Sequence, residues 1–252
     1  MTYTPAALTS LSDGISELNK NYGVILAEVS SFSQKHPASY EYLFHGFIRR
    51  LGILQGCIQN VFSLYPPDRL EIPSRETCVD LAINLQSFVF NVFGCLDNLA
   101  WISVIEHQLR NKNGPLKATQ VGFRQKLIQN SFSLEFQLYL ENLSEWFTNI
   151  ETLRNHLAHR IPLYVPPFVV TPDSEASFNA LEKAKVEAWR QLDFIKYDEL
   201  DAAQEKMGKF RPIMTHSVYA GDGYFVYFHG QILADWITLI DITERFLRQS
   251  NW

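Results

Sequence analysis

Residues 79–110 read VDLAINLQSFVFNVFGCLDNLAWISVIEHQLR, a proline-free run dense in Leu, Ile, Val and Phe and interrupted by Asp80, Asn84, Asn91, Asp97 and Asn98. Those polar residues break what would otherwise be a membrane-length apolar segment. The stretch predicts a buried helix, the longest and most apolar of the chain, capped by Thr77 or Asp80 and stopped by Asn113-Gly114-Pro115. On its N-terminal side, apolar residues recur at three- and four-residue steps over 8–32 and again over 39–64. These are two amphipathic helices, separated at Pro37, the second closed by Pro66-Pro67. On its C-terminal side, residues 133–160, SLEFQLYLENLSEWFTNIETLRNHLAHR, predict a second long helix ending before Pro162. Glu135 or Glu141 lies early in it and Arg154, His156, His159 and Arg160 lie late, the order the helix dipole favours.

Beyond Arg160 the pattern changes. IPLYVPPFVVTP is extended and proline-studded, residues 174–189 suit a short helix, and VYAGDGYFVYF places two β-branched and aromatic runs around Gly-Asp-Gly, the mark of a hairpin. The tail returns to helical spacing through Ile232, Trp236, Leu239 or Ile240, Thr243 and Leu247, and should pack back on the first helices. No stretch between Arg160 and His229 resembles a free linker. The expectation is a mainly α protein formed by one domain over residues 1–252, with a small α/β insertion at about 161–228.

Composition narrows the function. The 252 residues include 46% apolar and 19% charged residues, with 18 Phe, 11 Tyr and 5 Trp, which excludes extensive disorder. With 22 Lys and Arg against 27 Asp and Glu, the net charge of −5 argues against a broad phosphate-binding surface and leaves room only for a local basic site. The first residues lack a basic segment followed by an apolar core, so a cytoplasmic location is expected, with no membrane partner. Cys57, Cys78 and Cys95 have no metal-ligand spacing and read as reduced core thiols. No GxSxG, GxGxxG or GxxxxGK[ST] loop occurs, which removes the nucleotide-hydrolase and dehydrogenase readings.

Two charges fall where apolar residues belong. Advancing about 100° per residue from Ser133, Phe136, Leu140, Leu143, Phe147, Ile150 and Leu157 form one seam, with Arg154 near its centre. A guanidinium cannot discharge itself, so burial there requires a carboxylate, a phosphate or several acceptors. The same wheel groups Asn155 with His159 on a flank and turns His156 to a polar outer face. In the preceding helix Asp80, Asn84, Ser87, Asn91 and Asn98 form a polar stripe, whereas Asp97 stands apart among Phe90, Phe93, Trp101 and Val104. The simplest expectation is that Asp97 and Arg154 meet across the helix interface, either as a pair that fixes helix register or as part of a site.

The run Arg154-Asn155-His156-Leu157-Ala158-His159 reads R-N-x-x-x-H near the end of a long helix, and in this it resembles the HEPN superfamily motif. FGCLDNLAW at 93–101 and HRIPLYVPP at 159–167 are also similar to large uncharacterised bacterial HEPN-like proteins. The resemblance implies an up-and-down helical bundle that pairs into a homodimer. It further implies either metal-independent endoribonuclease activity or a non-catalytic module that binds RNA, a nucleotide or a regulatory protein partner. It makes Arg154, Asn155 and His159 the candidate catalytic residues, supported by Asp97. The residue types suit the chemistry: cleaving RNA without a metal needs a base and an acid near neutral pKa and a fixed cation for the phosphorane. His159 would carry the proton, Arg154 the fixed charge, and Asn155 would orient phosphate or ribose, with a second His159 supplied by a partner copy. The insertion at 161–228 exceeds the minimal fold of that family. No cofactor or metal is expected: His216, His229 and His159 lack ligand spacing, His156 and His159 splay across the outer face, and Asp222 reads as a turn residue.

Overall fold

A computed structural model describes residues 3–216 and 224–249. Helix α1 (Pro5–Ser31) starts on Pro5 with Thr4 as its cap, and buries Leu11, Leu18, Ile25 and Val29, a seven- and four-residue spacing that keeps one face inward. Glu106 ends its outgoing turn by accepting from the backbone N–H groups of Lys35 and His36, at 3.0 and 3.3 Å. Three segments then run on without a break: α2 (Pro37–Tyr40), a π-helix (Glu41–Ile48) and α3 (Arg49–Leu64). Helix α4 (Arg75–Glu106) begins earlier than its sequence suggests, because the Ser74 hydroxyl accepts from the Thr77 N–H at 3.2 Å and takes the capping role expected of Thr77 or Asp80.

Helix α4 ends at Glu106 rather than Arg110. Leu109 N–H reaches back to Val104 O at 2.9 Å, and Gln108 takes a left-handed φ of 52° to allow it. The Asn113-Gly114-Pro115 break becomes the turn of a two-residue hairpin, β1 (Arg110–Asn111) and β2 (Gly114–Pro115), with Gly114 at φ +119°. After the short α5 (Lys126–Gln129), the expected second long helix is two helices, α6 (Leu134–Asn142) and α7 (Ser144–His159), jointed at Leu143. Helices α4 and α7 pack against one another, as the spacing of their apolar residues predicts.

Helix α4 is surrounded by α3, the π-helix, α7 and the last helix, α10 (Phe228–Leu247). It is long and apolar enough to cross a membrane, but 61% of its most apolar stretch is buried inside the fold. Three asparagines of its polar stripe meet side chains of α3. Asn60 Nδ2 donates to Asn84 Oδ1 at 3.0 Å, and Arg50 donates to Asn91 Oδ1 and Asn98 Oδ1 at 3.1 and 3.2 Å. Gly94 makes the last pair possible, since a Cβ there would stand 2.6 Å from the Arg50 guanidinium.

The insertion holds α8 (Pro172–Arg190) and α9 (Phe194–Glu205), the latter not foreseen from the sequence, and an antiparallel pair, β3 (Ile213–His216) with β4 (Tyr224–Tyr227). Strand β4 stands on the second aromatic run, whereas β3 precedes the first, and that first run at 218–220 and the Gly-Asp-Gly turn with Asp222 lie outside the described residues. Tyr164 pairs with Thr215 beside β3, and Gln86 Nε2 of α4 donates to Leu163 O at 2.6 Å. Leu163, Val165, Phe210 and Met214 join the hydrophobic core that runs through the helices, so the base of the insertion is packed onto the bundle. Helix α10 returns to pack on α1, α3, α4 and α6, burying Ile232, Trp236, Leu239, Ile240, Thr243 and Leu247 as its spacing predicts.

Candidate functional site

Arg154 lies one helical turn beyond Ile150 and two beyond Phe147, both of which are buried, so the helix itself aims the guanidinium at the inner side of α7. There it meets α4. The guanidinium carbon lies 4.8 Å from the centre of the Phe93 ring, and Nη1 donates to Asn155 Oδ1 at 2.9 Å. Asp97 and Arg154 line one open cavity of about 470 Å³, between α4, α7 and the 118–125 segment. Leu96, Phe123, Phe147 and Ile150 give it an apolar floor. At the mouth Arg124 Nη1 donates to Glu151 Oε2 at 2.9 Å and to Thr148 Oγ1 at 3.3 Å, pinning the segment to α7.

The expected approach of Asp97 to Arg154, either directly or through one water, takes the form of a shared cavity in which the guanidinium charge acts on the carboxyl without a direct ion pair. Among the described residues no salt bridge joins Asp97 to Arg154, although both face the same space. The reason is that Phe93 and Asn155 together give the guanidinium a π-face and an acceptor. Burial pushes the Asp97 carboxyl up to about 6, against the pull of Arg154 and, less strongly, of Arg50.

His156 and His159 exchange the places the sequence gives them. His156 is buried, with Phe147, Ile150 and Leu153, and His159 is exposed. A wheel run unbroken from Ser133 loses phase at the Leu143 joint, and the buried stripe of α7 then advances in steps of three. His159 is not part of the cavity wall, and among the described residues its ring makes no hydrogen bond or ion pair. Arg154, Asn155 and Asp97 are therefore brought together within one chain, and His159 is not.

Arg50, Arg124 and Glu151 escaped the sequence reading. Arg50 could have been found by the reasoning that exposed Arg154: on α3 it falls on the same face as the buried Leu54, Cys57 and Val61. Arg124 carries no such signal, because its partner is set by the path of an irregular segment. His229 is a core histidine. Its Nε2 lies 2.7 Å from Tyr65 O, its Nδ1 lies 3.2 Å from Tyr3 Oη, and burial lowers its pKa to about 4. The His216 side chain lies outside the described residues, and among those described no group of three metal-ligating side chains is assembled.

Fold and site together define a mainly helical protein in which the longest helix and the helix carrying Arg154 enclose an open cavity lined by Asp97 and Arg154 and by the Arg124–Glu151 pair. No family model, no curated protein and no solved structure matches this chain.

Proposed function

We propose that the protein is a HEPN-like module that binds RNA or a nucleotide through the Arg154 cavity. One observation carries this reading: a permanently charged guanidinium faces open space with a neutral amide and an aromatic ring as its partners. A phosphate is the group that a guanidinium fork matches best, and a net charge of −5 confines such binding to a local site. The test is titration of fluorescein-labelled single-stranded RNA at low salt. Saturable binding should be lost in Arg154→Ala and kept in His159→Ala. RNA binding that ignores Arg154, or binding of neither RNA nor any nucleotide, refutes the reading.

A second reading, metal-independent cleavage of RNA, is favoured by the exposure of His159 on the same helix. Two copies that faced each other across this end of α7 would bring two such histidines, one as base and one as acid, to a common groove. Cleavage in EDTA that leaves 2′,3′-cyclic or 3′-phosphate ends, and that disappears in His159→Ala, supports it. Activity that needs Mg²⁺ or survives the loss of His159 refutes it.

A further inference from the structure

The cavity beside Arg154 has more chemistry than a phosphate needs. Its floor is apolar and largely aromatic, with Phe123 and Phe147 beside Leu96 and Ile150, and its volume of about 470 Å³ admits a bicyclic ring. A phosphate gains nothing from such a floor. Phe93 and the Arg154 guanidinium already form one stacked pair at 4.8 Å, the kind of plane on which an unstacked base is held in RNA recognition. Glu151 on the lining is paired with Arg124, which leaves Asp97 as a carboxylate without a salt bridge among the described residues, a group that would repel a phosphate.

We infer that the cavity is a nucleobase pocket that selects guanine, with Asp97 reading the base and Arg154 holding the attached phosphate. An ionised carboxylate is an acceptor at both oxygens. Guanine is the common base whose Watson–Crick edge offers two adjacent donors, N1–H and the 2-amino group. Adenine and cytosine each set an acceptor next to their amino group, and uracil flanks N3–H with two carbonyls, so each would place an oxygen or nitrogen lone pair against Asp97. Mismatched polar edges in a desolvated pocket are costly to leave unpaired.

The electrostatics suit that role. Arg154 on α7 and Arg50 on α3 both favour the charged form of Asp97, which burial opposes, and Arg124 and Glu151 at the mouth are paired with each other. At pH 7.5 the carboxyl, pushed up to about 6, is still predominantly ionised and ready to accept. The inference rests on the proposed nucleotide-binding reading and adds to it the identity of the base.

The experiment is calorimetric titration of the intact protein at pH 7.5 with 5′-GMP, IMP, AMP, CMP and UMP, followed by labelled single-stranded RNA oligomers with and without one guanine. GMP should bind about tenfold or more tighter than AMP, CMP and UMP. IMP, which keeps N1–H and lacks the 2-amino group, should fall between. Asp97→Asn, close in shape and relieved of a buried charge, should fold, lose the preference for GMP and leave the weaker nucleotides within a factor of about three. Preference for guanine in the oligomers alone assigns the pocket to an RNA nucleotide, and equal preference in the free nucleotides assigns it to a mononucleotide ligand. Binding of all five nucleotides with equal strength, or a GMP preference intact in Asp97→Asn, overturns the guanine assignment while leaving Arg154-dependent binding standing. Binding of none, and of no RNA, overturns the assignment together with the reading beneath it.

Discussion

Among the described residues, Asp97 and Asp235 are the two carboxyls that burial pushes up to about 6. The folded state then binds the proton more tightly than the unfolded chain, whose aspartates titrate near about 4. Each carboxyl therefore favours the fold while protonated, and stability falls as the pH rises from about 4 to about 6. Asp235 recovers part of that loss, because Trp146 Nε1 and Gln231 Nε2 donate to its Oδ1 at 2.8 and 2.9 Å. Asp97 is more open to water, so its share is discounted for screening, and Asp97→Asn should gain on the order of 1 kcal/mol at pH 7. Urea denaturation at pH 4 and pH 7 checks this: the gain should be present at pH 7 and nearly absent at pH 4. A loss at pH 7 would mean that Arg154 and Arg50 outweigh the desolvation of the carboxylate. At the two histidines the expectation divides by burial. His156→Ala opens a hole in a packed stripe and should cost about 2 kcal/mol, whereas His159→Ala at an exposed position should change the unfolding free energy from urea denaturation by less than about 0.5 kcal/mol.

Where helices end, backbone geometry rather than side-chain pattern sets the outcome. Helix α8 closes with Asp193 N–H bonded to Ala188 O at 2.9 Å, and this forces Leu192 to a left-handed φ of 57°, in the position glycine usually holds. Leu192 is 69% exposed, so removing its side chain forfeits little packing. Leu192→Gly should raise the stability of the α8–α9 pair by about 0.5–1 kcal/mol, read as slower amide exchange in those helices. Faster exchange would show that the exposed leucine holds the turn by a contact of its own. Inside the same hairpin Lys185 is nearly enclosed, paired with Asp201 and donating to Gln204 Oε1 at 2.7 Å. At the other end of the molecule Glu106 holds the turn between α1 and α2 through two backbone N–H groups. Glu106→Ala should cost about 2–3 kcal/mol, measured as a lower urea midpoint, since it leaves both donors without their charged acceptor.

The bundle as a whole is built around α4, and the arrangement explains why a helix of membrane-like composition carries asparagines. Those residues meet Arg50 and Asn60 of α3, and the apolar faces meet α7 and α10. The cavity exists because the segment after β2 crosses the groove between α4 and α7 and is tied to α7 through Arg124. If two copies complete a cleavage site, sedimentation at micromolar concentration should show a dimer, and a mixture of Arg154→Ala with His159→Ala chains should recover part of the activity that each lacks alone. A strict monomer that nevertheless cuts RNA would remove the two-copy mechanism.

The helical class, the positions of α1, α3, α4 and α10, and strand β4 were determined by residue spacing, because burial on one face imposes a period that local sequence displays. Arg154 was legible for the same reason, as a charge at an apolar phase. The joint at Leu143, the burial of His156 and the contacts of Arg154 to Phe93 and Asn155 were decided by tertiary structure alone. A one-residue bend alters which side chains face inward without altering their apolar spacing enough to be read. The partner of a buried charge is chosen by whichever acceptor or ring the packing brings within a few ångströms, and sequence distance carries no record of that choice.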